Sequence, residues 1–156
     1  MDLRDFVAQC EKVGQLKRVK AEVDWDLEIS HVAKVVEEKS GPALLFEKVK
    51  GYTSPVLTGA FGTTQRLAVI LGKDPNLSMV QLTKEWVNTA VKALTPAKEV
   101  KDGPIFENIL DAEKVNTFAF PSPKFYELDG GRYFGTAVFM VIQDPETGDI
   151  NLGTYR

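Results

Sequence analysis

The residues best suited to chemistry in this chain lie in Asn151-Leu152-Gly153-Thr154-Tyr155-Arg156. A carboxamide can ligate a cation through its oxygen or a phosphate through its NH2. A guanidinium grips a carboxylate or phosphate in a planar fork. Positions five apart on an extended strand face opposite ways. Asn151 and Arg156 can therefore serve one site only if a ligand lies across the strand or the backbone bulges at Gly153. A glycine inside a strand pattern is a reason to expect that bulge. On residue chemistry alone, a solvated arginine is the simpler reading of Arg156.

Other segments each have a chemical and a structural reading. Gly59-Ala60-Phe61-Gly62-Thr63-Thr64-Gln65-Arg66 resembles an anion site at a helix start, but a strand-to-helix turn capped by Thr63 or Thr64 explains it more simply. Asp129-Gly130-Gly131 allows a sharp turn or a close approach of backbone to ligand. His31 is the only histidine, and with Leu27 and Val35 at i−4 and i+4 it reads as a packing or boundary residue. Cys10, the only cysteine, falls on an apolar helical face and reads as an inert buried thiol. One cysteine and one histidine on separate helices leave little room for a Cys–His or Ser–His–Asp nucleophile. HExxH, EF-hand, GxGxxG and P-loop patterns do not occur. No carboxylate pair stands out as an acid/base couple, and Glu37 and Glu38 read as a solvated face.

These groups must be positioned by regular elements. Leu3, Phe6, Val7, Cys10 and Val13 share a helical face, with Asp2 suited to the N-cap and Gly14 to the C-terminal stop. Leu16 to Val23 alternates as a half-buried strand does. Asp24 and Asp26 offer caps for a helix over Leu27 to Lys39, whose apolar face would hold Leu27, Ile29, Val32, Ala33, Val35 and Val36. Gly41-Pro42 ends it. Ala43-Leu44-Leu45-Phe46 and Pro55-Val56-Leu57-Thr58 read as strands, then come helices over Thr64 to Leu71 and Leu77 to Leu94. Trp25 and Trp86 read as core or boundary aromatics.

Strand–helix alternation predicts an α/β lobe over residues 1–95. Residues 96–132 hold four of the eight prolines and read as an irregular connector, partly packed down by Phe106, Ile109, Leu110, Phe118 and Phe120. A buried-looking strand over Tyr133 to Gln143 follows. Asp144-Pro145-Glu146-Thr147-Gly148-Asp149 is a turn signal, with proline presetting φ and glycine taking the left-handed position. A second strand then carries Asn151, so residues 133–156 form a hairpin.

The 156 residues are 44% hydrophobic and 26% charged, as in a folded globular protein. A net charge of −3 and the lack of a basic stripe argue against nucleic-acid binding. The acidic N-terminus is unlike a signal peptide, and no apolar run reaches the ~20 residues of a membrane span. The expected location is cytoplasmic.

Several short segments occur together in a specific order. They include Asp2-Leu3-Arg4-Asp5-Phe6, Glu22-Val23-Asp24, Leu27-Glu28-Ile29, Gly41-Pro42-Ala43-Leu44-Leu45-Phe46-Glu47, Lys50-Gly51-Tyr52 and Pro55-Val56. Phe61-Gly62, Arg66, Leu71-Gly72, Asp129-Gly130-Gly131, Asp144-Pro145-x-Thr147-Gly148 and Asn151-x-Gly153-Thr154-Tyr155-Arg156 continue the series. This ordered set resembles the N-terminal part of the UbiD family, the prenylated-FMN-dependent reversible decarboxylases of aromatic and α,β-unsaturated acids.

The resemblance implies an α/β lobe followed by the first strands of a split β-barrel that binds the flavin. It implies that Asn151 helps hold a divalent metal, Mn2+ first, beside the cofactor phosphate, with K+ as a further ion. Arg156 would lie between flavin and substrate carboxylate as the catalytic arginine, and Gly153, Thr154 and Tyr155 along the cofactor. The family's modified flavin forms an adduct with substrate and acts as an electron sink while CO2 leaves, and the protein supplies orientation and electrostatics. A flavin prenyltransferase would supply the cofactor, and the assembly would be homo-oligomeric.

Family members are about three times longer, and the glutamates expected to complete the metal site and to pair with Arg156 have no counterpart here. A metal held by Asn151 alone would be weak, because hard cations want several oxygen ligands. The isolated 156 residues are therefore expected to be inactive and to bind the flavin weakly. Two other readings stay open, a non-catalytic interaction subunit and an FMN-binding domain that completes its sheet with a partner chain.

Overall fold

The computed structural model describes residues 2–89, 98–134 and 138–155. Helix α1 (Leu3–Lys12) starts in a capping box, with Asp2 accepting from the Asp5 amide and Asp5 from the Asp2 amide. Its end is a Schellman turn. Gly14 sits at φ 71°, and the Gln15 amide donates to the Cys10 carbonyl at 2.7 Å.

Strand β1 (Leu16–Val23) pairs parallel to β2 (Ala43–Val49), and β2 pairs antiparallel to β3 (Val56–Thr58), in the order β1-β2-β3. Helix α2 (Glu28–Glu38) is the crossover between the parallel strands. Helices α3 (Thr64–Ile70) and α4 (Met79–Thr89) follow. The expected extension of α4 to Leu94 lies largely outside the described residues. The resulting lobe is mixed α/β, as the alternation predicts.

Strand β2 explains why its sequence is nearly all apolar, because both its faces are buried. Ala43 and Leu45 pack with Phe6, Cys10, Leu16 and Val69 toward α1 and α3. Leu44 and Phe46 point the other way, to Val23 and Ile29 beneath α2. Each such buried Leu or Phe contributes roughly 1.5–3 kcal/mol by leaving water.

Helix α2 departs from expectation at its start and along its face. Asp24 and Asp26 do not cap it through their side chains. Leu27 takes the N-cap position at φ 67° with no side-chain cap, while the Asp24 carboxylate accepts from the Asp26 amide. Ile29, Ser30 and Ala33 are buried, whereas Val32 and Val35 are exposed, because the helix is rolled to set Ser30 against the connector. Ser30 Oγ donates to the Lys124 carbonyl at 3.1 Å. The helix closes in a second Schellman turn with Ser40, φ 52°, in the place glycine usually takes. Gly41 follows it, and a Cβ there would stand 2.6 Å from Val36 Cγ1.

The connector contains three 3-10 turns, at Pro104–Phe106, Ala112–Lys114 and Thr117–Ala119. The residues expected to pack it down are mostly exposed, Ile109 and Leu110 among them. Phe118 and Phe120 are the ones with ring contacts, to Arg132 and Phe134. The last regular elements are β4 (Met140–Gln143) and β5 (Ile150–Gly153), an antiparallel pair. Tyr133 and Phe134 lie outside any strand, so β4 is shorter than the expected Tyr133–Gln143, and it is exposed along its length rather than buried.

Candidate functional site: an apolar hairpin carrying Asn151

The hairpin is built by its turn. Asp144 accepts from the Glu146 and Thr147 amides at 2.7 and 2.9 Å, and Gly148 takes φ 77°. The Asp144 amide donates to the Asp149 carbonyl at 2.9 Å and returns the chain into β5. The Thr147 and Glu146 amides hold the Asp144 carboxyl below its ordinary range. The expected turn chemistry is therefore what the structure contains.

The pairing is regular, with Met140 opposite Gly153, Val141 opposite Leu152 and Ile142 opposite Asn151. There is no bulge at Gly153. Its glycine has another reason, because the ring of Tyr155 occupies the space a Cβ would need. Directly opposite residues share a face, so Asn151 stands among Met140, Ile142 and Gly153, with the Tyr155 ring folded over that end. Val141, Ile150 and Leu152 line the other face. All these side chains are exposed except at Gly153, which is half-buried. The Asn151 face is thus an open apolar surface with one carboxamide. Arg156 lies outside the described residues.

The donor set does not make a metal cage. No group of three or more His, Cys, Asp or Glu side chains converges among the described residues. Asn151 supplies one oxygen, and any further ligands would have to come from groups other than these.

A cavity of about 480 Å3 lies elsewhere, between α2 and the β3–α3 turn. Its walls include His31, Lys34, Glu37, Phe61 and Tyr126 but none of the hairpin residues. His31 is exposed at its rim, which fits a boundary residue. The glycine-rich turn before α3 is structural. Thr63 Oγ1 accepts from the Arg66 amide at 3.4 Å, and α3 is only seven residues long.

Two arginines in this half of the molecule could not be read from sequence. Arg66 is fully buried, donating to the Gly41 carbonyl at 2.9 Å and to Gln15 Oε1 at 3.2 Å, while its Nε has no partner. Burial lowers its pKa, with Cys10 and Glu37 opposing the shift. Cys10 is likewise buried, and desolvation raises its thiol pKa, which fits an inert group. Arg132 sits over Trp25 with Phe118 and Tyr52 beside it, residues too distant in sequence to suggest a cluster.

A three-stranded mixed sheet between helices, joined through an irregular connector to an apolar hairpin, defines a mixed α/β protein. The 3-octaprenyl-4-hydroxybenzoate carboxy-lyase N-terminal domain profile matches residues 7–86, and the Rift-related domain of the same family matches residues 98–156. The chain belongs to the UbiD family. It is 36% identical to a phenolic acid decarboxylase of Sedimentibacter hydroxybenzoicus over 99% of this chain and 34% of the relative. The open form of vanillic acid decarboxylase from that organism superposes with a TM-score of 0.88 at 36% identity, over 99% of this chain and 35% of the other. The UbiD-class enzyme HmfF of Pelotomaculum thermopropionicum, in an evolved dimeric form in complex with prFMN, superposes with a TM-score of 0.78 at 32% identity, over 97% of this chain and 34% of the other. The chain spans about a third of the length of the curated relatives it matches. No helix among the described residues is long and apolar enough to cross a membrane.

Proposed function

We propose that these residues form the N-terminal part of a cytoplasmic, prenylated-FMN-dependent carboxy-lyase acting reversibly on aromatic or α,β-unsaturated acids. The observation that carries this reading is the similarity along 97% of the chain to a UbiD-class enzyme in complex with prFMN. The Asn151 face supports it from within the structure, because an exposed apolar platform asks for a flat apolar occupant. Residues 133–156 are then the first hairpin of a split barrel, after a lobe over 1–95 and a connector over 96–132.

In this reading Gly153, Thr154 and Tyr155 lie along the flavin, and Arg156 faces the substrate carboxylate. The flavin, delivered by a prenyltransferase, supplies the electron sink for loss of CO2. The chain's own residues bind and orient. The Tyr155 ring and Ile142 shield one side of the platform from water, and Asn151 presents its oxygen. Asn151 is one donor to a divalent metal such as Mn2+ beside the flavin phosphate, with K+ as an accompanying ion. The described donors do not complete that set.

A second reading is favoured by the same exposed hairpin. A two-stranded ribbon with two apolar faces is marginal by itself, so it could complete its sheet with a homo-oligomeric or other partner chain without catalysis. Titration of the full-length protein with FMN and prenylated FMN, followed by flavin fluorescence and CO2 release, separates the two. Flavin binding that is lost in Asn151→Ala is expected. Stable association with a partner but no flavin binding would favour the second reading.

A further inference from the structure

We propose that Arg132 is a positioning residue that fixes the base of the hairpin to the α/β lobe and so governs how firmly the flavin is held. The inference rests on the flavin reading of the hairpin. The Arg132 guanidinium carbon lies 4.2 Å from the Trp25 ring centre, 4.9 Å from Phe118 and 5.9 Å from Tyr52. Arg132 Nη1 also donates to Tyr52 Oη at 2.5 Å.

These contacts join three separate stretches of chain. Trp25 follows β1, Tyr52 follows β2, and Phe118 belongs to the connector. A guanidinium over several aromatic faces is attracted by each ring quadrupole, and more strongly where water is excluded. Only a planar, permanently charged group can stack and donate in its own plane at once.

The anchorage extends to either side. The Lys124 amide donates to the Trp25 carbonyl at 3.0 Å, and the Phe134 ring packs edge-on against Phe120 with centroids 5.2 Å apart. From Phe134 to Met140 is six residues, which can span at most roughly 20 Å. The foot of β4 is therefore tethered within that distance of Phe134, two residues after Arg132. Among the described residues, β4 and β5 pair only with each other. Through this tether the clamp limits how far the hairpin can move from the lobe.

The test compares wild type, Arg132→Ala, Arg132→Lys and a control, Val69→Ala, in the full-length protein. Val69 is buried in the cluster beneath α1, apart from the clamp. Two readouts are needed, hydrogen exchange of the hairpin amides without flavin and FMN affinity by fluorescence titration. Arg132→Ala is expected to speed exchange at β4 and β5 and to weaken FMN binding, each roughly three- to fivefold, as loss of a half-buried cation–π clamp implies. Arg132→Lys should recover part of both, and Val69→Ala should lower the melting temperature without changing either.

Unchanged exchange and affinity in Arg132→Ala would overturn the proposal, as would equal weakening by Val69→Ala. Faster hairpin exchange in Arg132→Ala, with no flavin binding even in wild type, would overturn the link to flavin along with the flavin reading. The clamp itself would stand in that case.

Discussion

The α/β lobe and the hairpin use the same kinds of residue to opposite ends. In the lobe, Phe46 and Ile29 are fully buried, and Leu44 nearly so, between helices on both sides of the sheet. In the hairpin, Val141, Ile150 and Leu152 are each more than three-fifths exposed although their composition is no less apolar. The first pattern is what holds a fold together. The second contributes little to the fold and leaves a surface available to something else, which is how binding surfaces commonly look.

That contrast breaks most visibly at Phe46. Phe46→Ala should destabilise the chain by about 3–5 kcal/mol, read as a shift in denaturant midpoint, because it empties a space between α2 and the sheet. A loss near zero would mean the lobe is not packed as described. Gly41→Ala should cost roughly 1–3 kcal/mol in the same assay, since its Cβ must displace Val36 at the end of α2. In the hairpin, Val141→Thr should stay within about 0.5 kcal/mol of wild type, as for other exposed positions. A large loss there would show that the hairpin is part of the folding core and would erase the distinction between the two regions.

A smaller effect, on the turn alone, comes from acid. Folding lowers the Asp144 pKa below its ordinary 3.8, chiefly through the Thr147 and Glu146 amides. A group shifted down stabilises the fold above its unfolded value, and that stabilisation disappears as pH falls through the folded value. The Thr147 and Gly148 amides should therefore lose protection below pH 3.8 while those of β1 and β2 do not. Simultaneous loss in both regions would contradict a local origin.

How much of this was legible in the sequence follows the same division. Local signals were read correctly where they act locally. Asp2 and Gly14 bracket α1, the apolar run Ala43–Phe46 lies in a strand, and Gly148 makes the turn. Failures came where tertiary contacts decide. Nothing near Asp24 or Asp26 shows that Leu27 will take the N-cap with positive φ, or that Ser30 will turn inward to meet Lys124. The length of β4 was overread because an apolar run looks the same whether its strand is buried or awaiting an occupant. The bulge expected at Gly153 does not form, since the strand pairing is regular there and the Tyr155 ring is what excludes a side chain. The Asn151 assignment came from ordered motifs. Periodicity alone supplied only its place on a strand. The Arg132 clamp was out of reach, because its rings come from positions 25, 52 and 118.

The division of labour between the two regions is tested most directly by hydrogen exchange of the full-length protein with and without prenylated FMN and Mn2+. Protection should rise at Met140–Gln143 and Ile150–Gly153, and the amides of β1 and β2 should be unchanged. Protection confined to the cavity between α2 and the β3–α3 turn, with the hairpin unaffected, would contradict it.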